Sequence, residues 1–284
     1  MIVAGVQIGV SRTDPAGNLA KAEHFIHTAV QSGARIACLQ EYFATGLFTE
    51  QMDPSHWELA EPLDGPTLTR MRRLAQALSV WLIVPLFERD ARVPGRYFDT
   101  AAVLDVTGRI AGLYRKQFVP LGQSHEKYYF TPGNLGTPVF QAGDLCFGIM
   151  ICYDRHFFEL PRIMTLKGAT TVFVPNCSYR AKGRSDVWAA EIASIGANNA
   201  AYVVAVNSTG QNDGRDQFGQ SMIVDPLGTV LDQLGEEEGV VLADVSAEAV
   251  RQARTKNRLI RDLRRDVIEE LLAQYTPGWT APAE

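Results

Sequence analysis

The segment Gly148-Ile149-Met150-Ile151-Cys152-Tyr153-Asp154-Arg155-His156 carries the chemistry that is easiest to read. An apolar run stops at Cys152 and gives way to charged residues and a helical pattern, which predicts a strand-to-helix turn. A thiol there projects into a cleft beside unpaired backbone N–H groups, the arrangement of a nucleophile with an oxyanion site. Taken alone, a buried and inert cysteine is the more ordinary reading. A thiol attacks as thiolate, so a base must take its proton. His156 is the obvious helper, but a position one turn along a helix need not face back toward the sulfur, and a carboxylate is the better expectation. Glu41 supplies one, at the carboxyl end of the buried strand pattern Ile36–Gln40, the edge where open α/β sheets collect ligands. Lys116 ends the run Arg109–Tyr114 in the same way, with Arg115 beside it as the alternative surface cation.

These residues must be positioned by the elements around them. Ile2–Val10, an amphipathic Asn18–Ser32, Ala34–Gln40, a helical Thr67–Leu78 and Trp81–Phe87 follow in βαβα order. Tyr97–Asp105 and Arg109–Tyr114 flank Thr107-Gly108, the turn chemistry of an antiparallel hairpin, so a mixed sheet is predicted. The second half repeats the pattern with strands over Thr137–Gln141, Leu145–Ile151, Thr170–Pro175 and Tyr202–Asn207 and helices near Phe157–Lys167 and Ser185–Asn199. The pair Ser221–Val224 and Val230–Leu234 bends around Asp225-Pro226-Leu227-Gly228, ahead of Val240–Val245 and a charged helix from Ala247 to about Leu272. Two βα halves without a linker predict an α/β fold of one domain over 1–284, a four-layer αββα sandwich with two mixed sheets face to face and helices outside. A Rossmann winding competes, but no G-x-G-x-x-G follows the first strand and no P-loop pattern occurs, so nucleotide cofactors are not implied.

The formal balance of −5, from 27 Lys+Arg against 32 Asp+Glu, argues against a nucleic-acid partner. A hydrophobic share of 46% with 21% charged residues belongs to a folding globular chain rather than a disordered one. The apolar runs fall well short of the roughly 18 residues a membrane span needs. The N-terminus reads as a first strand rather than an export signal. Cys38, Cys146, Cys152 and Cys177 are far apart and form no C-x-x-C pair, favouring reduced thiols in a cytoplasmic protein and no zinc site. The basic residues of the terminal helix alternate with Asp262, Asp266, Glu269 and Glu270, which reads as a solvated helix or a subunit contact.

With Glu41, Lys116 and Cys152 in place, the chain resembles the nitrilase superfamily of carbon–nitrogen hydrolases. Gln40-Glu41-Tyr42-Phe43-Ala44-Thr45-Gly46 matches its glutamate motif, Tyr114-Arg115-Lys116 its lysine motif, and Ile151-Cys152-Tyr153-Asp154 with Phe157 and Glu159 its cysteine motif, in family order. Phe218–Gly228 resembles the family's late hairpin, so the likeness covers nearly the whole chain. The resemblance implies the αββα sandwich, no cofactor or metal, and a homodimer or larger assembly. It implies Glu41 as base, Lys116 as oxyanion partner with the N–H of Tyr153, Cys152 as nucleophile, and Glu126 as a second glutamate holding Lys116 or the substrate nitrogen. Arg155 and Arg180 become candidates for gripping a substrate carboxylate bidentately, and His156, Asn176 and Glu191 complete the expected substrate-binding set. The segments Glu126–Phe130 and Gly133–Gln141, Arg155-His156, and Trp188 with Glu191 look most like the β-ureidopropionase branch that hydrolyses N-carbamoyl amides. An aliphatic amidase or nitrilase of the same superfamily is the alternative, and a non-catalytic binding protein of the same fold is the alternative of another class. Phe158 departs from the family pattern where proline usually stands, as do Ile195 and Asn198 where arginine and glutamate are frequent.

Overall fold

Alternation within the short apolar runs decides which face each strand buries, because successive side chains point to opposite sides of a sheet. Ile36 and Cys38 join one apolar cluster while Ala37 and Leu39 join another. The same split separates Ala101 and Val103 from Ala102 and Leu104. Strands buried on both faces need cover on both.

The computed structural model describes residues 1–122, 124–212 and 214–274. The first half contains β1 (Ile2–Gln7), α1 (Pro15–Gln31), β2 (Ile36–Leu39), α2 (Pro66–Leu78), β3 (Trp81–Arg89), β4 (Tyr97–Leu104) and β5 (Ile110–Arg115). A one-turn α3 (Glu126–Tyr129) leads into β6 (Val139–Ala142), β7 (Leu145–Ile149), α4 (Glu159–Leu166), β8 (Thr171–Pro175), α5 (Trp188–Asn199) and β9 (Tyr202–Val206). The chain continues through β10 (Thr209–Asn212), β11 (Arg215–Phe218), β12 (Met222–Val224), β13 (Val230–Gln233), β14 (Gly239–Asp244), α6 (Ala247–Lys256) and α7 (Arg265–Gln274).

Two six-stranded mixed sheets result, in the orders β14-β1-β2-β3-β4-β5 and β13-β12-β9-β8-β7-β6. Each has a parallel centre, β1–β2–β3 and β7–β8–β9, with antiparallel strands outside it. One face of each sheet meets the other sheet in a shared core that runs from Val3, Ile83 and Val103 to Phe147, Phe173 and Val204. Helices α1 and α2 cover the outer face of the first sheet, and α4 and α5 that of the second. This is the αββα sandwich. The layers approach closely at Gly5 of β1, where a Cβ would lie 2.8 Å from Val206 Cγ2 of β9, and at Gly112 of β5, where one would lie 2.5 Å from Phe140 Cε1 of β6. Among the described residues no helix is long and apolar enough to cross a membrane.

Two expectations need correction. The charged helix predicted from Ala247 to about Leu272 is two helices, because Asn257 takes an extended conformation (φ −103°, ψ 96°) and ends α6, and α7 buries no residue. Residues 275–284 of the expected tail lie outside the described residues. The β10–β11 hairpin forms where no strand was predicted, since Thr209–Asn212 and Arg215–Phe218 lack an apolar alternation.

Candidate active site

Three strand ends converge at one edge of the sandwich. At the end of β2, Gln40 is buried and its amide imitates a backbone pair: Oε1 accepts from Ile8 N at 2.8 Å and Nε2 donates to Ile8 O at 2.7 Å and to Ser208 Oγ at 3.0 Å. That clamp fixes the entry to Glu41, and Tyr42 then turns the chain through a left-handed conformation (φ 56°). At the end of β5, Lys116 N donates to Asp99 O at 2.9 Å, and Gly133 N donates to Lys116 O at 2.7 Å. Gly133 is required there, since a Cβ would sit 2.1 Å from Arg115 O. Helix α3 brings in Glu126.

The Lys116 ammonium is fully buried among three carboxylates, 2.8 Å from Glu41 Oε1, 2.6 Å from Glu126 Oε2 and 3.3 Å from Asp99 Oδ2. The three acids lie close enough together to hold one cation. The lysine side chain takes that place. Burial disfavours its charge, but Glu126, Glu41 and Asp99 outweigh burial and hold its pKa well above the usual lysine value. The converse applies to the acids. Burial pushes Asp99 well above the carboxylate range against the pull of Lys116, with Glu41 and Glu126 adding to the rise. Burial likewise raises Glu126 to about 7, opposed by Lys116 and reinforced by Glu41. One ammonium cannot neutralise three buried carboxylates, so the cluster retains protons at pH values where free carboxyls have lost theirs.

Cys152 follows β7 and opens a short 3₁₀ turn, Cys152–His156. Its own φ is +47°, a left-handed conformation that costs a non-glycine residue about 1–3 kcal/mol and marks a tight elbow. Asp154 holds the elbow in place. Its Oδ2 accepts from Ile151 N at 3.0 Å and from Tyr114 Oη at 2.6 Å, and its Oδ1 accepts from Phe118 N at 2.9 Å. The loop bearing the cysteine is thereby tied to β5 and to the segment after Lys116. Arg155 Nη1 donates to Cys152 O at 3.0 Å and to Asn176 Oδ1 at 3.3 Å, and its Nε donates to Glu191 Oε2 at 3.1 Å. Burial pushes the Cys152 thiol up to about 12, with Glu41 adding to the rise and Lys116 and Arg155 opposing it. The resting sulfur is a thiol, so its proton must leave as it attacks.

A cavity of about 130 Å³ opens over the sulfur. Of the expected residues, Cys152, Tyr153, Glu126, Arg155 and His156 lie on its wall, whereas Glu41 and Lys116 are buried and not among the residues that line it. Others do not meet it. Arg180 is exposed and paired with Asp216 (2.8 Å) and Glu236 (2.6 Å), because the backbone bond from Arg180 N to Asp216 O sets it beside the β10–β11 hairpin. Asn176 is fully buried and Glu191 faces the far side of Arg155 and His156, whose Nδ1 is 2.5 Å from Glu191 Oε1; both stand behind the wall. Ile195 is buried, and Asn198 is exposed and donates to Ser194 Oγ at 2.8 Å. Sequence reasoning missed Asp99, whose signal was an acid inside the apolar run Tyr97–Asp105, and the cavity residues Glu50, Ser178 and Arg184. Ser178 Oγ is 3.9 Å from the sulfur.

The sequence pattern of the family described as carbon-nitrogen hydrolase matches residues 2–255. The N-carbamoylputrescine amidase of Solanum lycopersicum is 32% identical over 95% of this chain and 94% of its own. The citrullinase of Francisella tularensis subsp. tularensis is 30% identical over 96% of this chain and 98% of its own. A carbon-nitrogen hydrolase from Helicobacter pylori G27 superposes with a TM-score of 0.89 at 26% identity, covering 96% of this chain and 98% of that one. The chain therefore belongs to the carbon–nitrogen hydrolase family of the nitrilase superfamily and is a hydrolase of non-peptide C–N bonds.

Proposed function

We propose that this chain hydrolyses the ureido group of an N-carbamoyl amine, giving the free amine, ammonia and CO2. The observation that carries the proposal is the buried Lys116 ammonium held between Glu41 and Glu126 beside a thiol on a left-handed elbow. Both sequence relatives named above bear names with ureido substrates, which supports the ureido over the simple amide reading.

The Cys152 sulfur attacks the carbonyl carbon as its proton passes to Glu41. The former carbonyl oxygen becomes an oxyanion, which meets the Lys116 ammonium and the N–H of Tyr153 in the first turn of the 3₁₀ helix, where N–H groups lack helical acceptors. Removing one such preorganised donor typically costs about 3–4 kcal/mol in the transition state. Collapse of the tetrahedral species breaks a C–N bond, and the departing nitrogen takes the proton from Glu41. Glu41 then draws a proton from water, whose oxygen attacks the thiocarbamate and releases the sulfur, which recovers its proton. The product carbamic acid loses CO2 and frees the second nitrogen. Glu126 and Asp99 keep Lys116 aligned. Arg155 and His156, both anchored by Glu191, shape the wall opposite Glu126. Self-association belongs to the same reading: α4 and the approach to α5 expose Phe158, Ile163, Leu166 and Val187, an apolar strip suited to a second copy.

The test is ammonia release from N-carbamoylputrescine, citrulline, N-carbamoyl-β-alanine, a simple aliphatic amide and a nitrile. Turnover of at least one urea well above the amide and the nitrile is expected. Turnover of the amide or the nitrile alone overturns the ureido reading.

A further inference from the structure

We propose that Glu50 forms an ammonium subsite in the cavity over Cys152, so that the preferred substrate carries a protonated amine on the arm remote from the scissile bond. The inference rests on the site assigned above and adds the chemistry of the substrate's other end.

Glu50 lies on the cavity wall together with Cys152 and Glu126. Its side chain is nine-tenths buried, and its two oxygens are treated unequally. Oε2 accepts from the Arg215 guanidinium, which fixes the carboxylate plane. Oε1 is buried and has no hydrogen-bond partner among the described residues. A carboxylate oxygen shut away from water without a donor is costly, by about 1–3 kcal/mol or more for a charged group, unless a ligand completes it. The missing group is a hydrogen-bond donor, and an ammonium supplies one together with a charge opposite to the carboxylate's.

The basic side chains on the same wall are already engaged. Arg155 is held by Glu191, Asn176 and the Cys152 carbonyl. His156 is held by Glu191 as well. Arg184 packs over the Tyr179 ring, its Cζ 4.2 Å from the centroid. A substrate with a remote carboxylate would bring a like charge to Glu50, whereas an ammonium supplies the donor that Oε1 lacks. The cavity is also small beside the roughly 300–1,000 Å³ of drug-sized ligand sites, which suits a short carbamoylated diamine or a ureido amino acid.

The experiment compares four ureas of similar length on the whole chain: N-carbamoylputrescine, citrulline, n-butylurea and 4-ureidobutyrate. The wild type is expected to favour the two ammonium-bearing ureas over n-butylurea by about tenfold or more in kcat/KM, with 4-ureidobutyrate lowest. Citrulline against N-carbamoylputrescine shows whether a neighbouring carboxylate is tolerated. In Glu50→Gln, which keeps the shape, the kcat/KM ratio of N-carbamoylputrescine to n-butylurea is expected to fall about tenfold or more, through KM rather than kcat. An unchanged ratio, or a wild-type preference for 4-ureidobutyrate, overturns the subsite, and the wild-type comparison holds even if the variant folds poorly. If no urea is cleaved, the ureido reading fails separately, and 5-aminopentanamide against pentanamide then decides the ammonium subsite by the same criterion.

Discussion

Lys116 and Cys152 both serve the reaction, yet their removal should look different to a calorimeter. Cys152→Ala deletes the nucleophile from an elbow held by Asp154, so activity should vanish while the melting temperature stays near that of the wild type. Lys116→Ala removes the cation from three buried carboxylates. It should abolish activity and also cost about 3–5 kcal/mol of stability, the usual penalty for stranding one side of a buried ion pair. Equal melting temperatures for the two variants would contradict the buried cluster. Glu126 makes a prediction about pH. Its carboxyl is raised to about 7 in the fold from 4.5, so the folded chain holds a proton there that the unfolded chain releases. The stability this contributes is present below about pH 4.5 and is lost as pH rises through 7. On raising the pH from 5 to 7.5, the melting temperature of the wild type should therefore fall relative to that of Glu126→Gln. Parallel curves would show that Glu126 does not retain its proton. Glu41, Lys116 and Cys152 were legible in the sequence because each is a polar residue that abruptly ends an apolar run. Asp99 was not, because its function arises from the pairing of β4 with β5, which sets its carbonyl on Lys116 N and its carboxyl under the ammonium.

The elements that carry these residues are held by close backbone contacts more than by volume. Gly133 passes so near the carbonyls of Arg115 and Lys116 that Gly133→Ala should displace the end of β5, lowering stability by about 1–3 kcal/mol. It should also reduce kcat, although residue 133 touches no reacting atom. A variant with wild-type kcat would show that the β5 end tolerates the shift. Strands buried on both faces were readable as continuous apolar runs, and the helices α1, α2, α4 and α5 from their amphipathic spacing. The β10–β11 hairpin was not, since its strands carry no apolar alternation, and neither was the break between α6 and α7, since residues 257–264 contain no glycine or proline to mark it. Glu50 and Arg184 escaped for a related reason. Each sits in irregular chain whose path is set by tertiary packing, and a charged residue in a loop looks the same whether it faces water or a cavity.

At the scale of the molecule, Phe158 shares a second cavity with Arg155, His156 and Glu191, and Ile163, Leu166 and Val187 are further exposed apolar residues of α4 and the approach to α5. Light scattering on the purified protein should give at least twice the chain mass. Phe158→Glu combined with Leu166→Glu should lower the mass to that of one chain. A monomeric wild type would remove the inferred contact.

The acid–base pair and the sulfur are mounted on different layers: Glu41 and Lys116 leave the first sheet, and Cys152 leaves the second. The span a proton must cross is therefore governed by how one slab seats upon the other, and Gly5 and Gly112 are positions where the two interlock too tightly to admit a methyl group. A perturbation that merely lets the slabs slip, well short of melting either one, would silence the chemistry while leaving every strand intact.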